Sequence, residues 1–174
     1  MWLRILTVII AITLGYQPVS NAQTCNDYIP ESTPASAFVD HGDSTVSDSR
    51  TGLMWQKCLA GLSGEGCLEG SPAVYTWQEA LQLAESINSS GGLAGYTDWR
   101  LPSIKELTSI VELKCGDPSI NLTVFPNQIS SVVWSGSAFA WDSNCAWFVN
   151  FNFGDDHFPS RSNFIYVRLV RGGQ

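Results

Sequence analysis

Residues 95–107, with the sequence GYTDWRLPSIKEL, carry the strongest local folding signals in this chain of 174 residues. The stretch opens with a turn signal that contains glycine and aspartate, and the aromatic side chain of Trp99 follows it directly. Ser103 stands where a helix N-cap belongs, and Glu106 three residues later completes a capping box that satisfies free amide hydrogens. The stretch therefore predicts a turn, a buried aromatic residue and a helix from Ser103 to about Leu113.

A second helix is predicted upstream of this stretch. Thr76 and Glu79 repeat the capping-box spacing, and the glycines of Asn88–Gly92 suit the left-handed backbone that ends a helix. Apolar residues at helical spacing predict the buried side of each helix. These residues are Trp77, Ala80, Leu81, Ala84 and Ile87 in the first helix, and Ile104, Leu107, Ile110 and Val111 in the second.

Short β-strands are predicted on both sides of the helices. Turn residues between apolar runs indicate a hairpin or meander over residues 38–56. Residues 131–137 predict a strand and turn, residues 146–153 a strand, residues 154–156 the turn that ends it, and residues 164–170 a closing strand. Alternation in the second of these strands places Trp147, Val149, Phe151 and Phe153 on the core side, with Phe148, Asn150 and Asn152 on the opposite side.

Three motifs in this order resemble a known family. Residues 95–107, Trp134-Ser135 and Tyr166–Arg171 are similar to the hallmark segments of the Lcl C-terminal domain family, also called DUF1566, a group of secreted bacterial domains. The first and last motifs also resemble formylglycine-generating-enzyme-like domains. The resemblance implies an α+β, C-type-lectin-like single domain, with two helices packed on short, mostly antiparallel strands and stapled by disulfides. We assign residues 38–174 to this domain.

The first 22 residues are predicted to be an export signal. Arg4 gives a positive start, Ile5–Leu14 forms an apolar run, and Ser20-Asn21-Ala22 provides a cleavage site. The run is shorter than the roughly 20 residues that span a bilayer, so we expect no membrane insertion after cleavage. The mature protein is then secreted, periplasmic or at the cell surface. Residues 23–37, rich in Pro, Ser and Thr, are predicted to be a flexible N-terminal segment.

The predicted mature chain is acidic. Loss of Arg4 leaves eight Lys and Arg residues against sixteen Asp and Glu residues, a net charge of −8. Such a charge argues against broad binding to nucleic acid, heparin-like polyanions or anionic lipid.

Five cysteines in an exported chain predict two disulfides and one unpaired thiol. Cys58 and Cys67 lie close together in a glycine-rich loop and are the best pair by spacing. Cys115 is then left to pair with either Cys25 or Cys145. The family resemblance favours Cys25–Cys115, because relatives commonly carry both cysteines and vary at position 145.

Asp40, Asp43 and Asp48 in the predicted meander offer oxygen ligands for calcium. Their spacing is not that of an EF-hand loop, and the glutamate that ends such a loop is missing. An aspartate- and glycine-rich turn explains these residues more simply, so we expect no metal or other cofactor.

No catalytic site is predicted. A serine hydrolase needs a positioned base, and the only histidines, His41 and His157, are expected in loops. Asp155 and Asp156 are neighbours in a predicted turn, unlike the facing carboxylates of a glycosidase. Formylglycine-generating enzymes depend on an active-site cysteine pair, whereas the closing region of this chain supplies only Cys145.

The C-terminal loops are the candidate ligand-binding surface. From Cys115 onward the chain has no Lys, Glu or Met, and its loops carry the short polar and aromatic residues of adaptable binding surfaces. The candidate residues are Trp141, Asp142, Asn144, Phe148, Asn150, Asn152, Asp155, Asp156, His157, Arg161 and Asn163.

We expect this surface to bind a protein or glycan on a cell surface, as a non-enzymatic recognition or adhesion module. One alternative, which the resemblance also implies, is an oligomeric adhesin domain that binds sulfated glycosaminoglycans. The other is a structural envelope domain with no ligand, in which the same residues merely surround a stable core.

Overall fold

The two predicted capping boxes begin the two α-helices of the protein. The structure, a computed structural model, describes residues 23–172, so the predicted export signal lies outside the described residues. Helix α1 (Trp77–Ser89) follows the cap Thr76, and helix α2 (Ile104–Thr108) follows the cap Ser103. In each helix the cap hydroxyl accepts a hydrogen bond from the glutamate amide three residues on. That glutamate carboxylate in turn accepts one from the cap amide.

Helix α2 is shorter than predicted, because it ends at Thr108 rather than near Leu113. The hydroxyl groups of Thr108 and Ser109 donate back to helical carbonyl oxygens, at 2.8 and 2.6 Å. Just beyond, Val111 forms a β-bridge with Ile120. From Glu112 onward the backbone therefore pairs with the segment at residues 119–120, the Glu112 amide donating to the Ser119 carbonyl at 3.1 Å, and the helix does not continue.

Thirteen short strands are found among the described residues. In chain order they are β1 (Thr24–Cys25), β2 (Phe38–Asp40), β3 (Thr45–Asp48), β4 (Leu53–Gln56), β5 (Leu62–Ser63), β6 (Glu69–Gly70), β7 (Val74–Tyr75), β8 (Cys115–Gly116), β9 (Val132–Ala138), β10 (Ala146–Asn150), β11 (Asp155–His157), β12 (Ile165–Tyr166) and β13 (Val170–Gly172).

The strands form two larger sheets and two small pairs. The five-stranded sheet has the order β11-β10-β9-β12-β7, and the four-stranded sheet has the order β13-β4-β3-β2. The remaining pairs are β1 with β8 and β5 with β6. All pairings are antiparallel except that of β12 with β9. The predicted meander is confirmed as β2-β3-β4, and the protein belongs to the α+β class.

The prediction of one closing strand over residues 164–170 is wrong, because this part of the chain contributes a strand to each of the two larger sheets. Strand β12 belongs to the five-stranded sheet and strand β13 to the four-stranded sheet. Residues 167–169 between them, which we call the crossover segment, are fully buried. The carbonyl oxygens of Val167 and Leu169 accept hydrogen bonds from the amides of Ala60 and Gln56. These partners hold the segment between the sheets, where one continuous strand would reach only one of them.

Arg168 is the fully buried centre of the crossover segment. Its guanidinium donates to the carbonyl oxygens of Gln56 and Lys57, and to the side-chain oxygen of Gln128 at 2.7 Å. It also lies over the ring of Phe125, 4.6 Å from the ring centroid. Burial lowers the pKa of Arg168 to about 9. One side chain thus connects the crossover segment to two other parts of the chain, residues 56–57 and residues 125–128.

The hairpin of β10 and β11 also differs from the prediction. Strand β10 ends at Asn150, and the amide of Gly154 donates to the Asn150 carbonyl at 2.8 Å to close a turn over residues 151–154. Gly154 has a φ of +79°, which glycine adopts without strain. The alternation therefore stops, and Phe153 is 78% exposed rather than buried. Residues 155–157, predicted as turn and loop, instead pair with β10.

Two apolar clusters form the core, one around Trp55 and Phe125 and the other around Trp99 and Trp134. Trp99 is buried as predicted, with 1% of its surface exposed, and its indole N–H donates to a backbone carbonyl at 3.0 Å. Leu81 was predicted to be buried and is 40% exposed. Helix α1 fully buries only its two alanines, whose small side chains let the helix approach the core closely.

Both predicted disulfides are present. Cys58 is bonded to Cys67 and Cys25 to Cys115, which leaves Cys145 as a free thiol. Disulfides of this kind are typical of proteins in oxidising compartments. Within residues 23–172 no helix is long and apolar enough to cross a membrane.

Residues 23–37, predicted to be flexible, are held against the domain by several contacts. Strand β1 pairs with β8, and the buried carboxylate of Glu112 accepts hydrogen bonds from the amides and hydroxyls of Ser32 and Thr33. The amide of Lys114 donates to the same carboxylate at 2.9 Å. Burial alone would raise the pKa of Glu112, but these hydrogen bonds to its charged form hold that pKa at about 2.

Candidate functional site

Two loops lie side by side at the end of the five-stranded sheet. The first, residues 139–145, joins β9 to β10, and the second, residues 158–164, joins β11 to β12. A β-bridge pairs Cys145 with Ser160, and the amide of Arg161 donates to the carbonyl of Asn144 at 2.8 Å. We call these two loops the loop pair, since the backbone contacts fix one against the other.

Arg161 holds the loop pair to helix α1. Its Nε donates to the carbonyl of Cys145 at 3.0 Å, and its guanidinium lies 4.2 Å from the ring centroid of Trp77. The amide of Trp77 donates to the Arg161 carbonyl at 3.0 Å. Arg161 was predicted to face a ligand, but its contacts give it a positioning role instead.

Three aromatic rings pack together within and beneath the loop pair. The rings of Phe139 and Phe158 stack with centroids 3.8 Å apart and planes 4° apart. Trp147 meets both rings edge-on, at 5.4 and 5.2 Å. Trp147 was predicted to face the core and is only half-buried, whereas Phe139 and Phe158 were not predicted to take part in a site. For Phe158 the available signal was its position as a single aromatic among polar loop residues, whereas Phe139 stands between two alanines and gave no such signal.

The exposed candidates of the loop pair are Trp141, Asp142, Asn144 and Asn163. Trp141 is 90% exposed. Asp142 accepts a hydrogen bond from the amide of Asn144 at 2.8 Å, which fixes the turn at the tip of the first loop. Burial raises the pKa of the nearby Cys145 thiol, and the negative charge of Asp142 adds to the rise, so this thiol is held in its protonated form.

The remaining candidates lie on the β10–β11 hairpin, next to the loop pair. Asp155, Asp156 and His157 are exposed on β11, and the His157 Nε2 lies 3.1 Å from a carboxylate oxygen of Asp155. Phe148, predicted to face a ligand, is half-buried against the second core cluster. Val149, the next residue of β10, belongs to the first core cluster, so both faces of the sheet carry packed side chains at this position.

Asn150 and Asn152 are half-buried at the end of strand β10. The Asn150 side-chain oxygen accepts a hydrogen bond from the amide of Asn152 at 3.1 Å. The Asn152 carbonyl accepts one from the amide of Asp117 at 3.0 Å. Both asparagines therefore shape the turn after β10 and connect it to the chain near β8.

The three aspartates weighed as calcium ligands are each bound to other side chains. Asp40 is paired with Lys57, whose hydrogen bond holds the Asp40 pKa below its usual range. Asp48 is fully buried and paired with Arg50 at 2.8 Å. Asp43 accepts hydrogen bonds from the backbone and side chain of the residue two positions on. Within the described residues no group of three or more His, Cys, Asp or Glu side chains is placed to hold a metal ion.

The model of the Lcl C-terminal domain family matches residues 44–171, a range that runs from the first hairpin into the last strand. No curated protein matches the chain.

Proposed function

The chain belongs to the Lcl C-terminal domain family, and from this premise we propose that it is an exported, non-enzymatic recognition module. It binds a protein or glycan on a cell surface through the loop pair and strand β11. We also propose that its α+β architecture is of the C-type-lectin-like type, which the position of the two helices between an N-terminal and a C-terminal set of short strands supports.

The observation that carries this proposal is the convergence of polar and aromatic side chains on one end of the five-stranded sheet. Two loops that lie more than ten residues apart in sequence are joined by backbone contacts and by Arg161. The exposed residues there are short amides, carboxylates and aromatics, which make hydrogen bonds and apolar contacts at a low cost in side-chain entropy. The stacked rings of Phe139 and Phe158 and the buried strand residues Ala146 and Ile165 keep this surface in place.

The non-enzymatic part of the proposal is supported by the surroundings of the reactive side chains. His41 Nε2 lies 2.8 Å from the hydroxyl of Ser47, but the pair is exposed on the β2–β3 hairpin. No carboxylate in the described residues is hydrogen-bonded to that His41 ring. Cys145 is a single protonated thiol, without the second cysteine that formylglycine-generating chemistry needs.

A binding screen tests the proposal directly. The purified protein is applied to intact cells and to a glycan panel, beside a variant with alanine at Asp155, Asp156 and Asn163. We expect the variant to lose binding while its Tm stays within about 2 °C, because the three side chains are exposed.

A control variant carries alanine at Gln82 and Glu85, which are exposed on helix α1, and we expect it to bind normally. Chelation of calcium should leave binding unchanged. Absence of binding to every cell type and glycan would refute recognition and leave a structural envelope domain. Equal loss of binding in the α1 control would show that the surface lies elsewhere.

A further inference from the structure

Phe158, the first residue of the second loop of the loop pair, presents a rigid aromatic face to solvent. The residue is 45% exposed although one face of its ring is stacked on Phe139. Trp147 meets the edges of both rings, so neither ring can rotate without losing a contact. Among the described residues no further ring covers the outer face of Phe158.

We propose that this outer face of Phe158 is the platform on which a neutral sugar ring of a glycan stacks; the inference rests on the recognition function proposed above and narrows its ligand. The face of an aromatic ring carries partial negative charge, and the C–H groups on one side of a pyranose ring carry partial positive charge. A flat apolar surface held in advance binds such a ring without the cost of ordering a side chain.

Polar groups in the same two loops suit the hydroxyl groups of a sugar. Ser160 and Ser162 lie just beyond Phe158, with their hydroxyl oxygens 2.8 Å apart. Each hydroxyl both donates and accepts hydrogen bonds. The exposed amide of Asn144 adds a donor and an acceptor on the neighbouring loop. Trp141, at the tip of that loop, offers a second exposed aromatic ring.

Charge favours a neutral glycan over a sulfated one. The exposed charged residues of the loop pair and strand β11 include the carboxylates Asp142, Asp155 and Asp156. The basic side chain of Arg161 is half-buried over Trp77. A polyanion would therefore meet a net negative charge at this surface.

The test measures binding to neutral oligosaccharides of glucose, galactose, mannose and N-acetylglucosamine, with heparin as the polyanionic probe. We expect one or more neutral glycans to bind, with affinity that changes little with salt or chelator, and heparin not to bind. Phe158→Leu keeps apolar packing but removes the ring face, and we expect it to weaken binding about tenfold or more. Trp141→Ala should weaken binding without changing the Tm, since the side chain is almost fully exposed.

The matched control is Phe153→Ala, which removes an aromatic residue more exposed than Phe158 from the turn after β10 and should leave glycan affinity within about twofold. Neutral-glycan binding that both Phe158→Leu and Trp141→Ala leave unchanged would overturn the inference. So would binding to heparin alone. If cells bind but no glycan of the panel does, the sugar platform is refuted while the recognition function stands. If neither binds, both proposals fail.

Discussion

Replacement of Glu112 by glutamine should destabilise the protein in a strongly pH-dependent way. The carboxylate is 2% exposed and accepts hydrogen bonds from Ser32, Thr33 and Lys114, so it connects the N-terminal segment to the end of the α2 region. A glutamine fits the space but has only one acceptor oxygen. Its NH2 group would then face hydrogen-bond donors.

The magnitude follows from the pKa of Glu112. Its ordinary value is 4.5 and its value in the folded protein is about 2. Each tenfold step in proton affinity is worth about 1.4 kcal/mol, so the charged form contributes about 3 kcal/mol to the free energy of unfolding at neutral pH. Because folding lowers this pKa, the contribution is complete above pH 4.5 and disappears as the pH falls through 2. About half of it remains at pH 3.

Urea unfolding followed by tryptophan fluorescence measures this effect. We expect the wild type to exceed Glu112→Gln in free energy of unfolding by about 3 kcal/mol at pH 7 and by about half of that at pH 3. Glu85→Gln, an exposed change on helix α1, is the control and should stay within about 0.5 kcal/mol of wild type at both pH values. A difference for Glu112→Gln that is the same at both pH values would refute the electrostatic reasoning.

Three further changes test the stability of the fold, each by the free energy of unfolding in urea. Trp99→Ala should cost about 3–5 kcal/mol because the ring is buried, and a cost below about 1 kcal/mol would contradict its role in the core. Ser103→Ala should cost about 1 kcal/mol through the lost helix cap, whereas Ser103→Thr should retain most of the stability. Joint replacement of Cys25 and Cys115 by alanine should cost about 4–5 kcal/mol, because this disulfide spans 90 residues. Retention of wild-type stability would show that the N-terminal contacts suffice without it.

Local sequence signals predicted the helix starts and the turn before α2 because both ends of each interaction lie within a few residues. The capping boxes at Thr76 and Ser103 are of this kind, and so is the short-range disulfide between Cys58 and Cys67. Cys25–Cys115 was a different case, since spacing left two possible partners and only the family resemblance favoured the observed one.

The strand predictions failed where pairing partners lie far away in sequence. Nothing between residues 164 and 170 indicates that the chain changes sheets, because the change depends on hydrogen bonds to residues near 56–60. Phe153 was placed in the core by an alternation that the turn at Gly154 interrupts. The candidate surface was also hard to predict where it depends on contacts between residues far apart in sequence. Exposed loop residues such as Trp141 were predicted, but the stacking of Phe139 on Phe158 joins two loops and leaves no periodic pattern.

The crossover segment makes the two larger sheets one cooperative unit. Arg168 follows β12 of the five-stranded sheet and donates to Gln56 at the end of β4 in the four-stranded sheet, so separation of the two sheets would remove hydrogen-bond acceptors from a buried guanidinium. Partial unfolding of one sheet alone therefore has a high free-energy cost. In native-state hydrogen exchange, slow amides of β4 and β9 should then exchange with the same opening free energy, equal to that of global unfolding. Slow exchange in one sheet with fast exchange in the other would mean that the sheets open independently despite their shared buried arginine.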